Sequence, residues 1–140
     1  MTLEANKALA RQAVGLWSSG DVDMVDRLFT ADYVNHQNQP SGPAADVHGR
    51  EAWKSYVGSF RKAFPDFRDT IEMQVAEGDL VATRFSSIGT HRGPFLGLAP
   101  TDRQASWSGI SIDRIADGMI AETWVNWDKF GLLQQLGAAR

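Results

Sequence analysis

The sequence predicts a segregated α+β fold, in which helices come first along the chain and a run of antiparallel strands follows. Apolar residues recur at helical spacing before Pro65, whereas the segments after it have the composition of strands. Two connections between those strands, 77–79 and 116–118, are short and contain glycine, as hairpin turns do. Helices grouped ahead of strands favour α+β over alternating βαβ units.

Three helices are predicted in the first half of the chain. One runs over 3–18 and ends at Gly20, and a short second helix over 21–29 begins at Asp21 as its cap. The first helix has an apolar face formed by Ala10, Ala13, Val14 and Trp17. The third helix runs from about 49 to 64. Its apolar stripe consists of Trp53, Val57, Phe60 and Phe64.

Most of the remaining chain has strand or loop character. The stretch 32–36 is a brief extended piece, and 37–48 contains two prolines and a glycine and is expected to be a loop. A terminal helix begins near Lys129. The connection 93–101 is unusually apolar, so it either folds over its own core or forms a lid at a cavity mouth. Four long strands are expected over 67–76, 80–92, 104–115 and 119–127.

The composition fits one domain that spans 1–140, and it narrows the choice of partners. The net charge is -3 and no cluster of lysine and arginine occurs, so a nucleic-acid partner is not expected. The chain has no cysteine, which excludes disulfides and fits a reducing compartment. Neither a signal peptide nor a stretch of about 20 apolar residues is recognised. We therefore expect a cytoplasmic protein without a membrane partner.

Metal and nucleotide sites are not predicted. The three histidines, His36, His48 and His91, are far apart and lack the spacing of zinc motifs. The sequence has no glycine-rich phosphate-binding motif and no Gly-x-Ser-x-Gly nucleophile motif. We expect neither a metal nor a cofactor.

Three parts of the sequence resemble one protein family. They are Gly-Arg-Glu-Ala-Trp at 49–53 with Ala-Phe-Pro-Asp at 63–66, the stretch 89–101, and the C-terminal stretch 108–137. Together they resemble the SnoaL-like polyketide cyclases, also called ester cyclases. The likeness covers nearly the whole chain, and its elements follow in the same order.

The resemblance implies the cone-shaped α+β barrel of nuclear transport factor 2. In this fold a strongly bent antiparallel sheet packs around three N-terminal helices and encloses a pocket. The resemblance also implies a homodimer or a higher homo-oligomer, paired across the outer face of the sheet. The cyclases close a ring by intramolecular aldol condensation, without metal or cofactor, and use one acidic residue as acid/base. Their acid corresponds to Val125 here, which cannot exchange a proton, while Asp128 matches a second acidic residue of the family.

The aromatic residues are the expected walls of an apolar pocket for a small organic molecule. The chain contains five Trp and seven Phe, which is many for its 140 residues. Either these rings converge on one cavity or they fill an ordinary core. The predicted wall residues are Trp17, Trp53, Phe60, Trp107 and Trp124.

The candidate catalytic residues are His36, His91 and Asp128. An imidazole titrates near neutral pH, so His36 can act as base or donor, with Asn35 beside it as a substrate-binding residue. Alternation sends neighbours on a strand to opposite faces, so only one of these two is expected to face inward. His91 ends a long strand at the expected mouth of the pocket. Asp128 follows an aromatic stretch and acts as a general acid, or it caps the last helix.

Asp113 is an acid in an otherwise apolar strand, at a position where family members more often have an aromatic residue. It faces either the pocket or a dimer interface, or it pairs with Arg84 across the strands, which is the default expectation.

The leading hypothesis is a lyase-like or isomerase-like enzyme that cyclises or rearranges a small carbonyl compound by proton transfer. Whether the protein is catalytic at all stays open, because Val125 replaces the acid of the family. One alternative is a binding protein that uses the same cavity without turnover. Another is a hydroxylase or epoxide hydrolase on the same fold.

Overall fold

A computed structural model describes residues 2–37 and 46–138 of the chain. Its helices confirm the predicted segments. They are α1 (Leu3–Ser19), a 3-10 turn (Val22–Met24), α2 (Val25–Leu28), α3 (Arg50–Ala63) and α4 (Lys129–Gln135). None of the helices in these residues is long and apolar enough to cross a membrane.

Local signals explain where α1 begins and ends. The side chain of Thr2 accepts a hydrogen bond from the backbone N–H of Ala5, which satisfies one of the free donors of the first turn. Gly20 follows the helix with a φ of 71°, a left-handed conformation that glycine adopts without strain.

The six strands form one bent, open sheet in the order β2-β1-β6-β5-β4-β3. The four long strands pair antiparallel in sequence order, as the hairpin signals predict. The first strand adds parallel to the last one, so the sheet is mixed at this edge. The strands are β1 (Phe29–His36), β2 (Val47–His48), β3 (Arg68–Glu77), β4 (Leu80–Thr90), β5 (Gln104–Ala116) and β6 (Met119–Trp127).

Most of the loop predicted over 37–48 lies outside the described residues. Its last part forms β2, which pairs with β1 at the edge of the sheet. The connection 93–101 folds over its own core: the ring of Phe95 packs against Phe60 and Phe64, and Leu98 packs on the same cluster. The backbone N–H groups of Arg92 and Gly93 both donate to the carbonyl of Ala63, which fixes the connection to the end of α3.

The two faces of the sheet differ sharply in β5. Buried and exposed residues alternate along it, because successive side chains of a strand point to opposite faces. The inward-facing residues are Ala105, Trp107, Gly109, Ser111, Asp113 and Ile115. This face packs against α1 and α3 and, together with them, surrounds a cavity.

Candidate functional site

A cavity of about 710 Å³, measured out to solvent at its mouth, lies between the inner face of the sheet and the helices α1 and α3. Its concave and mostly aromatic lining is typical of sites that hold a small organic molecule. Three residues of the predicted inner face of α1, Ala13, Val14 and Trp17, line it, and α3 contributes Trp53, Tyr56 and Phe60.

The aromatic walls correspond largely to the predicted ones. Trp17, Trp53, Phe60 and Trp107 all line the cavity, and the ring of Trp17 makes edge contacts with Trp53 and Phe60 at 5.3 Å and 5.4 Å between centroids. Trp124 is different, because it lies on the outer face of β6 and is 39% exposed. Aromatic residues that the sequence analysis did not assign to the wall are Phe29, Tyr33, Tyr56, Phe67, Phe85 and Trp127.

Asp113 is the most deeply buried carboxyl of the cavity lining, with 4% of its surface exposed. It lies directly opposite Thr123 on β6, whose hydroxyl donates to Oδ1 of Asp113 at 2.6 Å. Burial raises the pKa of Asp113 to about 6, against the opposing effect of this hydrogen bond. The expected pairing with Arg84 is wrong: Arg84 is exposed and lies opposite Ile110, on the other face of the sheet.

Asp113 stands at one end of a chain of hydrogen bonds that crosses the cavity wall. The chain begins at the hydroxyl of Tyr56, and each side chain donates a hydrogen bond to the next one. All five donors are therefore oriented toward the carboxylate of Asp113. Hydrogen bonds aligned in one sense polarise one another and favour negative charge at the accepting end. Burial raises the pKa of Tyr33 far above its usual range, so its hydroxyl stays protonated within the chain. The members in order are Tyr56, Gln37, Asn35, Tyr33, Thr123 and Asp113.

A second carboxyl, Asp69, lines the same cavity from β3. It lies directly opposite Ser87 on β4, and the Ser87 hydroxyl donates to Oδ1 of Asp69. Burial raises the pKa of Asp69 to about 7, although the Ser87 hydrogen bond lowers it. Both carboxyls of the cavity can therefore change protonation state close to neutral pH.

His36 does not contribute to the cavity lining formed by the described residues. Its neighbour Asn35 faces inward, so alternation turns His36 to the outer side of β1. There Nδ1 lies 2.8 Å from Oδ2 of Asp46 and Nε2 lies 2.7 Å from Oε2 of Glu122, and the ring stacks on Trp124. The hydrogen bond to Glu122 raises the pKa of His36 and so favours its charged form, within a surface network that also contains Asp46.

His91 and Asp128 also lie outside that lining. His91 is completely buried beside Phe64, and its Nδ1 pairs with the hydroxyl of Thr101 at 3.0 Å. Asp128 is the N-cap of α4, where its Oδ1 accepts a hydrogen bond from the backbone N–H of Gly131 at 2.9 Å. Among the described residues, no group of three or more His, Asp or Glu side chains is positioned to hold a metal ion.

The alternation of side chains along a strand is the signal that could have assigned Asp113 and Asp69 to the cavity. Asp113 follows Trp107 by six positions, and Asp69 follows Phe67 by two, so each carboxyl shares a face with an aromatic wall residue. The same rule separates Trp124 from Val125, because adjacent residues of a strand cannot both face the cavity. Val125 is the one that lines it.

The model of the family described as SnoaL-like polyketide cyclase matches residues 7–136 of this chain. The chain belongs to this family. Its relatives include a nogalonic acid methyl ester cyclase from Streptomyces nogalater, which is 32% identical over 127 residues, or 89% of this chain and 91% of that protein. The resemblance inferred from the sequence is thus confirmed.

Two solved structures of proteins from Streptomyces have the same fold. IdmH from Streptomyces antibioticus, described as a candidate polyketide cyclase, has a TM-score of 0.79 and 31% identity, over 94% of this chain and 98% of that one. AclR from Streptomyces galilaeus, described as a candidate hydroxylase, has a TM-score of 0.83 and 27% identity, over 99% and 89%. These neighbours confirm the predicted cone-shaped α+β fold.

Within this SnoaL-like chain, Val125 is the residue that the sequence resemblance aligns with the acid of the cyclases, and it lies close to Asp113. Val125 lies opposite Ser111, and Asp113 lies opposite Thr123, so the two residues are diagonal neighbours on β5 and β6. Such neighbours on one face of an antiparallel pair are roughly 7–8 Å apart. Both line the same cavity.

Proposed function

We propose that this protein is an acid/base enzyme that closes or isomerises a ring in a small, mostly apolar carbonyl compound, and that Asp113 moves the proton. The observation that carries the proposal is a carboxyl buried in an aromatic-walled cavity, with its pKa raised to about 6. A general base is most effective when its pKa is close to the working pH, and burial brings Asp113 into that range.

The proposed reaction uses the proton alone. The carboxylate of Asp113 takes a proton from the carbon next to a substrate carbonyl, and the resulting carbanion attacks a second carbonyl of the same molecule. Asp113 then returns the proton to the new alkoxide oxygen, so that atoms and charge balance without another reactant. The apolar walls exclude water, which would otherwise protonate the carbanion.

Asn35 is the proposed donor to the developing negative charge on the carbonyl oxygen. Its amide nitrogen carries two hydrogens, of which one is donated to the hydroxyl of Tyr33. The side chain lines the cavity and belongs to the same hydrogen-bonded chain as Asp113. A donor that is already held in place stabilises an oxyanion without reorganisation during the reaction.

In this proposal the acid of the family has moved from position 125 to Asp113. The two positions are diagonal neighbours on one face of the sheet, so a carboxyl at either can reach a ligand in the same cavity. The proposal gives the acid/base role to Asp113 rather than to His36, His91 or Asp128. In the described structure those three serve a surface ion network, a buried loop contact and a helix cap.

Turnover by the purified protein of nogalonic acid methyl ester, the compound in the name of the relative from Streptomyces nogalater, tests the proposal. We expect ring closure by the wild type and a loss of about hundredfold or more in Asp113→Asn. Ligand affinity should stay within about tenfold, because the aromatic walls remain. Asp128→Asn is the matched control and should keep its activity.

A double variant tests whether the acid has moved from position 125 to Asp113. Val125→Asp in the Asp113→Asn background should recover at least about tenfold of the lost activity, because the acid then returns to the position used by the relatives. Full activity of Asp113→Asn would overturn the proposal. Tight binding without turnover of any such ester by the wild type would instead identify a binding protein.

We also propose that the protein is a cytoplasmic homodimer that pairs through the outer face of its sheet. On this face four residues lie opposite one another across neighbouring strands: Val75, Ile112 and Trp124 are exposed, and Ala82 is half-buried. Large exposed apolar patches are typical of protein contacts. The absence of cysteine supports a reducing compartment, and the negative net charge argues against a nucleic-acid partner.

A further inference from the structure

The pair formed by Asp69 and Ser87 is a built polar site that the proposed proton transfer does not use. Ser87 is buried on the inner face of β4, and its hydroxyl donates to Oδ1 of Asp69. The backbone of Asp69 is also held, because its N–H donates to the hydroxyl of Ser18 at 3.0 Å. The carboxyl is therefore fixed in the wall of the cavity from two sides.

This pair has the same construction as the pair formed by Asp113 and Thr123. In each, an aspartate lies directly opposite a hydroxyl residue on the adjacent antiparallel strand and accepts a hydrogen bond from this hydroxyl at Oδ1. Among the hydrogen bonds formed by the described residues, neither Oδ2 has a partner. Neither Oδ2 is among the buried polar atoms without a partner in the described part of the chain, so both oxygens are accessible from the cavity and can accept a hydrogen bond from a ligand.

The two carboxyls lie at different ends of the same sheet surface. Ser87 is opposite Trp107 on β5, and Asp113 follows Trp107 by six residues, which is roughly 20 Å along an extended strand. The bend of the sheet brings the two ends closer through space. Both carboxyls nevertheless belong to one lining.

The surface between the two carboxyls is mainly aromatic. The rings of Phe85, Trp107 and Trp127 lie on this stretch of the inner face. Gly109 lies between them without a side chain, and a Cβ at this position would lie 2.7 Å from both Cζ of Phe85 and Cβ of Trp127. The two rings can therefore approach the strand closely, which gives the cavity a flat apolar middle.

We propose that Asp69 and Ser87 form a second binding site in the cavity, which accepts a phenolic or enolic hydroxyl at the end of the ligand remote from Asp113. The expected ligand class is a flat, polycyclic compound with an oxygen function at each end and an apolar centre. This inference deepens the proposed function, since it assigns the remote end of the substrate of the same cavity. Because burial also keeps Asp69 close to its protonation midpoint, the site can adapt to a hydroxyl or to a carbonyl.

Binding of three probes, measured by quenching of tryptophan fluorescence, tests the inference without any turnover. Anthraflavic acid carries hydroxyl groups at opposite ends, its monohydroxy analogue carries one, and anthraquinone carries none. We expect Asp69→Ala to weaken anthraflavic acid by about tenfold or more, which is the usual cost of losing a hydrogen bond to a charged group. Anthraquinone should stay within about twofold, and the exposed Glu72→Ala on the same strand should change neither.

The monohydroxy analogue distinguishes two binding sites from one. It can turn end for end, so Asp69→Ala and Asp113→Ala should each weaken it by less than about threefold, whereas the double variant should lose about tenfold. Ser87→Ala, which preserves the carboxyl, is a milder second variant in case Asp69→Ala does not fold. Equal losses for all three probes, or no loss in either variant, would overturn the inference. Full activity of Asp113→Asn together with these binding results would refute only the proposed reaction.

Discussion

The carboxyl of Asp113 and the hydroxyl of Thr123 face each other directly across β5 and β6, with Thr123 donating at 2.6 Å. Thr123 in turn accepts a hydrogen bond from Tyr33, whose position is 90 residues away in sequence. The threonine thus connects the carboxyl to the polar chain of the cavity wall. Its hydroxyl opposes the effect of burial on the pKa of Asp113.

Removal of this hydroxyl should change the pH dependence of the proposed reaction. Activity that requires the Asp113 carboxylate rises with pH through a pKa of about 6. In Thr123→Val the carboxylate loses its donor, so we expect this rise to move upward by about one pH unit. A profile of kcat/KM against pH checks it, with the exposed Thr70→Val as control. An unchanged midpoint in a folded Thr123→Val would contradict the role of the hydroxyl.

Burial of Asp113 should also make the protein less stable as the pH rises. The ordinary pKa of 3.8 applies in the unfolded chain and about 6 in the folded one, so unfolding releases this proton between those values. The stabilising contribution is complete below about pH 4 and is lost as pH rises through 6. We expect Asp113→Asn to gain a few kcal/mol over the wild type between pH 4 and pH 8, at roughly 1.4 kcal/mol per pKa unit. Urea denaturation at both pH values measures the difference, and the exposed Asp32→Asn should show no such gain.

Asp128 should matter for stability rather than for turnover. Its side chain caps α4 through the N–H of Gly131, and the loss of such a cap costs about 1 kcal/mol. We expect Asp128→Ala to lower the free energy of unfolding by this amount and to keep activity within about twofold. Thermal unfolding and an activity assay check it. A loss of activity without a loss of stability would restore Asp128 as a catalytic candidate.

The apolar outer face should control the oligomeric state. Ile112 is exposed at the centre of the row between Ala82 and Trp124, directly behind the cavity. A charge here would have to be desolvated on pairing, so we expect Ile112→Glu to be a monomer at concentrations where the wild type is a dimer. Sedimentation velocity measures this, and Gln104→Glu at the exposed end of β5 is the control. A wild type that is already monomeric would refute the proposed dimer.

The sequence by itself determined the order of the elements, the hairpins and most of the aromatic wall. These features depend on local patterns: helical spacing in α1 and α3, glycine in short turns, and alternation along the strands. Alternation also implied that Asp113 shares a face with Trp107 and that Trp124 and His36 turn away from Val125 and Asn35. That inference needs only the alternation of side chains along a strand and one residue that is known to face inward.

The tertiary structure alone decided the chemistry of the site. Asp113 is unusual because it is buried and because Tyr33, on the distant strand β1, is connected to it through Thr123 on the neighbouring strand. Asp69 depends in the same way on Ser87 and Ser18. A pKa shift is the sum of desolvation and contacts made by distant segments, and no local pattern in the sequence reports that sum. The resemblance aligns Val125 with the acid of the cyclases, and the folded sheet brings another carboxyl, that of Asp113, close to this position.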